Sequence, residues 1–224
     1  RPIARLYVSI ESFQTDESQD AIDNVVLIDP ADTTELYIAL NFNSRAQGGA
    51  GIHFNPFAGR VFQGGYGDTT IRVMTVGALG TLGNSGAFGH RELNAMRGLA
   101  YHANSRMLYV ANNATPTSIY AFYQPMNRNG FTRPTKVFRL GAAMRPWGLA
   151  LWNDSLLVSN AGTGGGISLY AGLSQPDSVV ADFQPQATVR IDGATAIRGF
   201  AFVDSLDLLV VADYGTGTPT EPVA

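Results

Sequence analysis

Residues 98–113, GLAYHANSRMLYVANN, hold two apolar strands joined by a polar turn, and this pattern decides the fold. A glycine precedes the first strand, and a small or polar residue follows the second. The pattern returns in GIHFNPFAGRVFQGG (51–65), GLALWNDSLLVSN (148–160) and GFAFVDSLDLLVVAD (199–213). The leading glycines stand about 50 residues apart, a period typical of β-propeller blades.

Two further strands are predicted in most repeats. The third strands are TTIRVMTV (69–76), SIYAFYQP (118–125) and GISLYAGL (166–173), and the fourth strands are HRELNAM (90–96), TKVFRLG (135–141) and ATVRIDG (187–193). Their branched and aromatic residues favour strands, and no stretch keeps a helical period. We therefore predict an all-β fold of four-stranded antiparallel blades in one propeller domain, residues 1–224. The blade-like units are 5–46, 51–96, 98–144, 148–197 and 199–213.

Both ends of the chain hold incomplete blades. RLYVSIES, NVVLIDP and ELYIALNF supply second, third and fourth strands at the start, whereas residues 199–213 supply only a first and a second. The two pieces do not fuse simply, because each has its own second strand. The chain starts at Arg1 and shows no signal segment, so upstream sequence is expected to be missing. We expect a fragment of a six- or seven-bladed protein rather than a five-bladed ring, with open blade edges that allow self-association.

The glycine-rich run GTGGG (162–166) follows an apolar strand, as the phosphate loop of a nucleotide-binding protein does. Such a loop needs a helix after the glycines and normally a lysine beside a serine or threonine. Here a predicted strand follows, and no lysine is near. The run is interpreted as a turn between two strands.

Composition excludes several classes of function. The chain of 224 residues has no cysteine, so disulfides, thiolate nucleophiles and cysteine metal sites are absent. The net charge of −3 does not favour nucleic acid, and no apolar run is long enough to span a membrane as a helix. Arginine supplies nearly all the basic residues, with Lys136 as the one lysine, which suggests a bacterial source.

The segments LYVANN with SIYAFY, LLVSNAG with ISLYAG, and LLVVADYG resemble the NHL and lactonase-like (YVTN) β-propellers. Each follows an RG or PWG sequence and an apolar strand, and the resemblance runs from about Arg5 onward. It implies the propeller fold. The group contains binding modules, extracellular proteins and some enzymes, so a resemblance to it does not determine the function of this protein.

Arginine recurs at the entry to the predicted innermost strands, where a propeller carries its central funnel. Arg97, Arg145 and Arg198 occupy this place, and Arg45 lies further upstream. Guanidinium groups bind carboxylates and phosphates through paired hydrogen bonds, which predicts an anion-binding funnel. In the alternative interpretation these arginines are structural, paired with carboxylates or capping loop carbonyls. The ends of the second strands offer such partners in Asn112, Asn160 and Asp213, and these three residues are also included in the predicted site.

Other candidate sites are weaker. His53 and His102 stand at different offsets from their glycines, and no metal-binding spacing appears, so no metal or cofactor is predicted. Ser85 in GNSGAFG is assigned to a flexible loop before the fourth strand. The acidic run FQTDESQDAIDN (13–24) lacks the spacing of a calcium loop and is assigned to a solvated loop. Trp147 is either a platform for a sugar or peptide, or packing between blades.

The first strands are apolar until their turns, where Asn153, Asp154 and Asp204 are predicted to face the end opposite the funnel. This argues against an enzyme acting in the funnel. We expect a non-catalytic binding or scaffold propeller, extracellular, periplasmic or at the cell surface, with an unknown protein or a small anionic ligand as partner. The alternative is a lactonase-like or lyase-like propeller enzyme acting in the funnel, with some residues outside this chain.

Overall fold

A computed structural model describes residues 5–11, 24–29, 38–162, 165–203, 206 and 208–215. The prediction of an all-β chain of propeller blades is confirmed, because the described residues form short strands arranged in largely antiparallel sheets. The chain divides into two units: unit 1 comprises 1–96 and 124–133, and unit 2 comprises 97–123 and 134–224.

The strands follow the predicted repeats closely. The first eleven are β1 (Leu6–Ser9), β2 (Val25–Ile28), β3 (Ile38–Phe42), β4 (Gly49–Asn55), β5 (Arg60–Gly65), β6 (Thr70–Val76), β7 (Leu82–Gly89), β8 (Met96–His102), β9 (Met107–Asn112), β10 (Ser118–Tyr123) and β11 (Gly130–Phe131). The others are β12 (Lys136–Arg139), β13 (Pro146–Trp152), β14 (Ser155–Asn160), β15 (Gly166–Tyr170), β16 (Val179–Val180), β17 (Ala187–Arg190), β18 (Ile197–Val203) and β19 (Leu208–Asp213). A short 3-10 helix covers Pro125–Asn127.

Unit 1 contains two sheets. The first has the order β1-β2-β3, and the second has the order β11-β7-β6-β5-β4, in which the short strand β11 pairs parallel to β7. Strands β1 and β4 lie in contact. Val25, Val61 and Met74 form the buried core, and Tyr7 packs against it.

Unit 2 contains three sheets, ordered β16-β12-β10-β9-β8, β13-β14-β15-β17 and β18-β19. Strand β13 packs against β9 of the preceding sheet, and β18 packs against β13 and β14. The core between the first two sheets includes Tyr109, Phe138, Val158, Tyr170 and Phe183. Face-to-face packing of successive sheets is the relationship between neighbouring propeller blades.

The prediction of a fourth strand at HRELNAM (90–96) is wrong. The structure places that strand earlier, in β7, so the segment around Ser85 that was assigned to a loop pairs with β6. Glycine permits this strand, because a Cβ on Gly89 would lie 2.0 Å from the Thr69 carbonyl oxygen. His90 begins a turn that is closed by a hydrogen bond from the Leu93 N–H to the His90 carbonyl oxygen. An outer strand rich in small residues has little apolar patterning, so the sequence pattern did not predict it.

The interpretation of GTGGG as a turn is confirmed. Strands β14 and β15 on either side of it pair antiparallel from Asn160↔Gly166 to Leu156↔Tyr170. The Gly162 N–H donates to Asn160 Oδ1 at 3.0 Å, which holds the start of the turn. Thr163 and Gly164 lie outside the described residues.

The leading glycines of two repeats are required by close contact between innermost strands. A Cβ on Gly98 would lie 2.5 Å from the Trp147 carbonyl oxygen, and one on Gly148 would lie 2.9 Å from the Arg198 carbonyl oxygen. Ser159, which is fully buried, joins the same strands, because its hydroxyl accepts from the Gly148 N–H and donates to the Arg198 carbonyl. The main chains of β8, β13 and β18 therefore set the spacing between neighbouring sheets of unit 2.

Candidate functional site

The site in unit 2 is built on the position that directly precedes the leading glycine of each repeat. Arg97 holds this position in β8, Trp147 in β13 and Arg198 in β18. The pairing of β13 with β14 and of β18 with β19 shifts register at this point, between Pro146 and Leu149 and between Ile197 and Gly199. A β-bulge of this kind redirects the side chain that it carries.

These three side chains and Tyr214 form one stack. The guanidinium carbon of Arg97 lies 3.8 Å from the centroid of the Trp147 ring, and that of Arg198 lies 4.5 Å from the same ring. Arg198 also lies 3.4 Å from the Tyr214 ring centroid. We call Arg97, Trp147, Arg198 and Tyr214 the arginine stack. Cation–π contacts of this kind hold a guanidinium by its flat face and leave its N–H groups at the edge.

Arg198 is the member of the stack best placed to meet a ligand. Its Nε is buried and makes no hydrogen bond with any described residue. None of the ion pairs found among the described residues involves it. Arg97 is more deeply buried, with 8% of its surface exposed. The stack therefore holds two positive charges against aromatic rings, and at least Arg198 is held without a carboxylate partner in the described part of the chain.

Arg145 does not join the stack, which corrects the alignment made from the sequence. Its Nη1 donates to the carbonyl oxygens of Ala142 and Met144, both at 3.0 Å, and the side chain is exposed. The sequence aligned MRPWG with MRG, but the residue before the glycine is Trp147. Proline at the start of β13 displaces the arginine into the preceding loop.

The polar residues at the ends of the second strands bind backbone groups. Asn160 Oδ1 accepts from the Arg145 N–H at 2.9 Å, and the Asp213 carboxylate accepts from the N–H groups of Thr195 and Ala196 at 3.1 and 2.7 Å. Each therefore fixes the loop that leads into the innermost strand of its own sheet. Asn112 ends β9 and is buried. The described contacts of Asn160 and Asp213 are with main-chain groups, whereas the alternative interpretation paired such residues with guanidinium groups.

The surroundings of Asp213 favour the charged form of its carboxyl. Desolvation acts to raise the pKa of its carboxyl, but hydrogen bonds from the backbone N–H groups of Ala196, Thr195, Gly215 and Tyr214 outweigh it and lower the pKa below the ordinary value. The carboxylate lies one residue before Tyr214, so the loop that it stabilises carries one ring of the stack.

Sequence reasoning placed two of the stacked residues in the site and missed the roles of the other two. The sequence predicts Arg97 and Arg198, leaves Trp147 open as either a ligand platform or packing between blades, and does not single out Tyr214. The signal for Trp147 was its place before the repeat glycine, which counting back from Gly148 reveals.

The remaining candidates lie elsewhere. In unit 1, Arg45 is exposed in a left-handed backbone conformation, with φ of 66°, and burial lowers the pKa of His53. The acidic residues of the run 13–23 and Asp204 lie outside the described residues.

Where the structure describes the chain, it shows no group of three or more His, Asp or Glu residues able to hold a metal ion. In the same ranges, no helix has the length and apolar character needed to cross a membrane.

Neither family models nor curated proteins match the sequence. Solved structures do match in fold. One is a chain of a crystal structure of a nidogen/laminin complex, which is 14% identical with a TM-score of 0.55 over 80% of this chain. At that identity the similarity shows the β-propeller fold, in agreement with the sheets described above. The match covers 59% of that solved chain.

Proposed function

We propose that this protein is a binding β-propeller whose arginine stack takes the carboxylate or phosphate of an anionic ligand or of a protein partner. The observation that carries the proposal is that Arg198 contacts the rings of Trp147 and Tyr214 and makes no ion pair with a described residue. A guanidinium held by its faces is preorganised to donate from its edge in a bidentate hydrogen bond.

Two further points support a binding role. Arg97 places a second positive charge on the same Trp147 ring, which strengthens attraction for an anion. The similar solved chain comes from a nidogen/laminin complex, an assembly of proteins. Membership of the NHL and lactonase-like group, and a location outside the cytoplasm, rest on the sequence resemblance and belong to the proposal.

Self-association through an open blade edge is a second part of the proposal. The sheet β18-β19 has two strands, and β19 pairs with β18 alone among the described strands. Leu208 and Val210 on β19 are 50% and 55% exposed. An apolar strand with an unpaired edge favours pairing with another chain.

The test is calorimetric titration of the 224-residue chain with citrate and with a glutamate-rich peptide, using a lysine-rich peptide as the charge control. We expect both anions to bind and Arg198→Gln to weaken binding about tenfold, the effect of losing one charged hydrogen bond. Arg190→Gln is the matched control, because Arg190 lies exposed on β17 of the same unit. Absence of anion binding would refute the proposal. Equal affinity in Arg198→Gln, with a lower melting temperature, would assign the stack a structural role.

A further inference from the structure

A cavity of about 330 Å³ lies in unit 2, at the end of β8 opposite Arg97. Met107 and Leu173 give it an apolar wall, and Ser105, Lys136 and Asp154 give it polar groups. The Tyr109 hydroxyl adds a further polar group, which is hydrogen-bonded to the Ser105 side chain. Arg97 and His102 are five residues apart on one strand, so the cavity and the arginine stack are separated by roughly 16 Å. The volume is that of a site for a small molecule.

Ser105, His102 and Asp154 form a linear arrangement at the cavity. Ser105 Oγ lies 2.6 Å from His102 Nδ1, and His102 Nε2 lies 3.6 Å from Asp154 Oδ1. Two turns create it: Ser105 is in the turn between β8 and β9, and Asp154 is in the turn between β13 and β14. Ser105 is exposed, so an incoming molecule can reach its hydroxyl.

The backbone decides the tautomer of His102. The Ser105 N–H points to His102 Nδ1 at 3.4 Å, and an N–H group can only donate. His102 Nδ1 is therefore the acceptor and its ring proton is on Nε2, facing the Asp154 carboxylate. In this tautomer the single lone pair of Nδ1 is shared between the Ser105 N–H and the Ser105 hydroxyl, and Ser105 Oγ is also hydrogen-bonded to the Tyr109 hydroxyl. A hydroxyl, a base and a carboxylate in this order are the groups that activate a serine nucleophile. Asp154 is 96% exposed, and at 3.6 Å it acts on the ring through its charge rather than through a hydrogen bond.

We propose that this cavity is a second site of the protein, which hydrolyses carboxylic esters with Ser105 as nucleophile, His102 as general base and Asp154 as a nearby carboxylate whose charge favours the imidazolium that forms. The apolar wall suits a short acyl or aromatic ester. Lys136 brings a positive charge to the same cavity, where negative charge develops on the ester oxygen. Its Nζ donates to the carbonyl oxygens of Leu173 and Gln175, which leaves one of its three N–H groups for the substrate.

The reaction proceeds in two balanced steps. Ser105 Oγ bonds to the ester carbonyl carbon and gives its proton to His102 Nδ1. His102 then returns this proton to the departing alkoxide as the ester C–O bond breaks, leaving an acyl-serine and a free alcohol. A water molecule next attacks the acyl carbon and gives a proton to His102, which passes it to Ser105 Oγ. The carboxylic acid leaves, and no oxidant or other co-reactant is needed.

His102 also has a local structural role, which the test must separate from catalysis. It ends β8 at the position that Asn55 holds at the end of β4, and Asn55 Oδ1 accepts the Phe57 N–H in that turn. Asparagine can therefore cap this kind of turn, but its amide cannot accept a proton from serine. His102→Asn thus retains the cap and removes the base.

The experiment treats the 224-residue chain with diisopropyl fluorophosphate, which phosphorylates activated serines, and locates the label by peptide mass spectrometry. Hydrolysis of p-nitrophenyl butyrate is measured in parallel. We expect the label on Ser105, and a loss of hydrolysis of at least about 100-fold in both Ser105→Ala and His102→Asn. Ser85→Ala is the matched control, because Ser85 is exposed on β7 of unit 1 and is expected to leave both readouts unchanged.

Two results would overturn the proposal. One is a chain that takes up no label at Ser105. The other is a folded His102→Asn variant, shown by an unchanged melting temperature, that is labelled and hydrolyses ester as fast as the original protein. The arginine stack takes no part in either readout, so failure here leaves the anion-binding proposal standing.

Discussion

The guanidinium of Arg198 and the indole of Trp147 lie in contact, 4.5 Å from carbon to ring centroid, although they belong to different sheets of unit 2. Their strands are held at this spacing by Ser159, which hydrogen-bonds to main-chain groups of both. The site therefore depends on backbone contacts between sheets as much as on the residues that it displays.

Removal of the shared ring should destabilise the protein measurably. Trp147→Leu takes the aromatic face from two arginines, and each contact contributes about 0.5–2 kcal/mol, depending on its exposure. We expect the free energy of unfolding in urea to fall by about 2 kcal/mol. Trp152→Leu is the control on the same strand, since Trp152 is 44% exposed. An equal effect of the two changes would contradict a special role for the stack.

Alanine at Gly98 should be poorly tolerated. The added Cβ would lie 2.5 Å from the Trp147 carbonyl oxygen and 2.7 Å from the Leu149 nitrogen, and both atoms belong to the main chain. The strands would have to separate, at a cost of about 2–4 kcal/mol. Gly141→Ala is the control, because a Cβ there meets no described atom within 4 Å. Thermal unfolding of both variants checks this prediction, and a Gly98→Ala protein as stable as its control would refute it.

Tyr170 should make the protein sensitive to alkali. Burial raises the pKa of its hydroxyl from 10.0 to about 12, and the hydroxyl makes no hydrogen bond with a described residue. Because the folded pKa is the higher one, this contribution to stability is complete below pH 10 and is lost as the pH rises toward 12.

Tyr170→Phe should remove that loss and also raise stability at neutral pH by about 1 kcal/mol, since a buried hydroxyl without a partner is costly. Unfolding in urea at pH 7 and above pH 10 measures both effects. Tyr120→Phe is the contrasting variant, because the Tyr120 hydroxyl accepts a hydrogen bond from Arg139 Nη1 at 3.4 Å. Removal of this hydroxyl is therefore expected to lower the free energy of unfolding. Destabilisation by Tyr170→Phe at neutral pH would show that its hydroxyl has a partner.

The edge of β19 should govern self-association. Val210→Lys places a charge on the exposed face of this strand and is expected to reduce association by at least tenfold in sedimentation equilibrium. Leu79→Lys is the control, since Leu79 is 76% exposed in a turn of unit 1. Association that persists equally in both variants would place the contact elsewhere.

The repeat and most strands were predictable because innermost strands are apolar and keep a regular distance from glycine. Strand β7 was not, since its small residues are selected by main-chain contacts such as that of Gly89 with Thr69, which leave no hydrophobic pattern. The parallel pairs β11–β7 and β12–β16 were missed for a related reason: each involves a strand of two residues, too short for any period to appear.

The candidate sites show the same limit. Arg97 and Arg198 could be found by counting from the glycine, whereas the approach of His102 to Asp154 brings together the end of β8 and a turn about 50 residues further along the chain. Each residue alone is ordinary for its position. The contact between His102 and Asp154 depends on how β8 and β13 align side by side, and this alignment cannot be predicted from a local sequence pattern.

The close contact at Gly98 also separates the two sites of unit 2. Because a Cβ on Gly98 would lie 2.5 Å from the Trp147 carbonyl oxygen, no side chain can enter between the main chains of β8 and β13 at this point. The arginine stack and the Ser105 cavity lie at opposite ends of β8 and have no lining residue in common. A small ligand bound at one of them therefore makes no direct contact with the residues of the other.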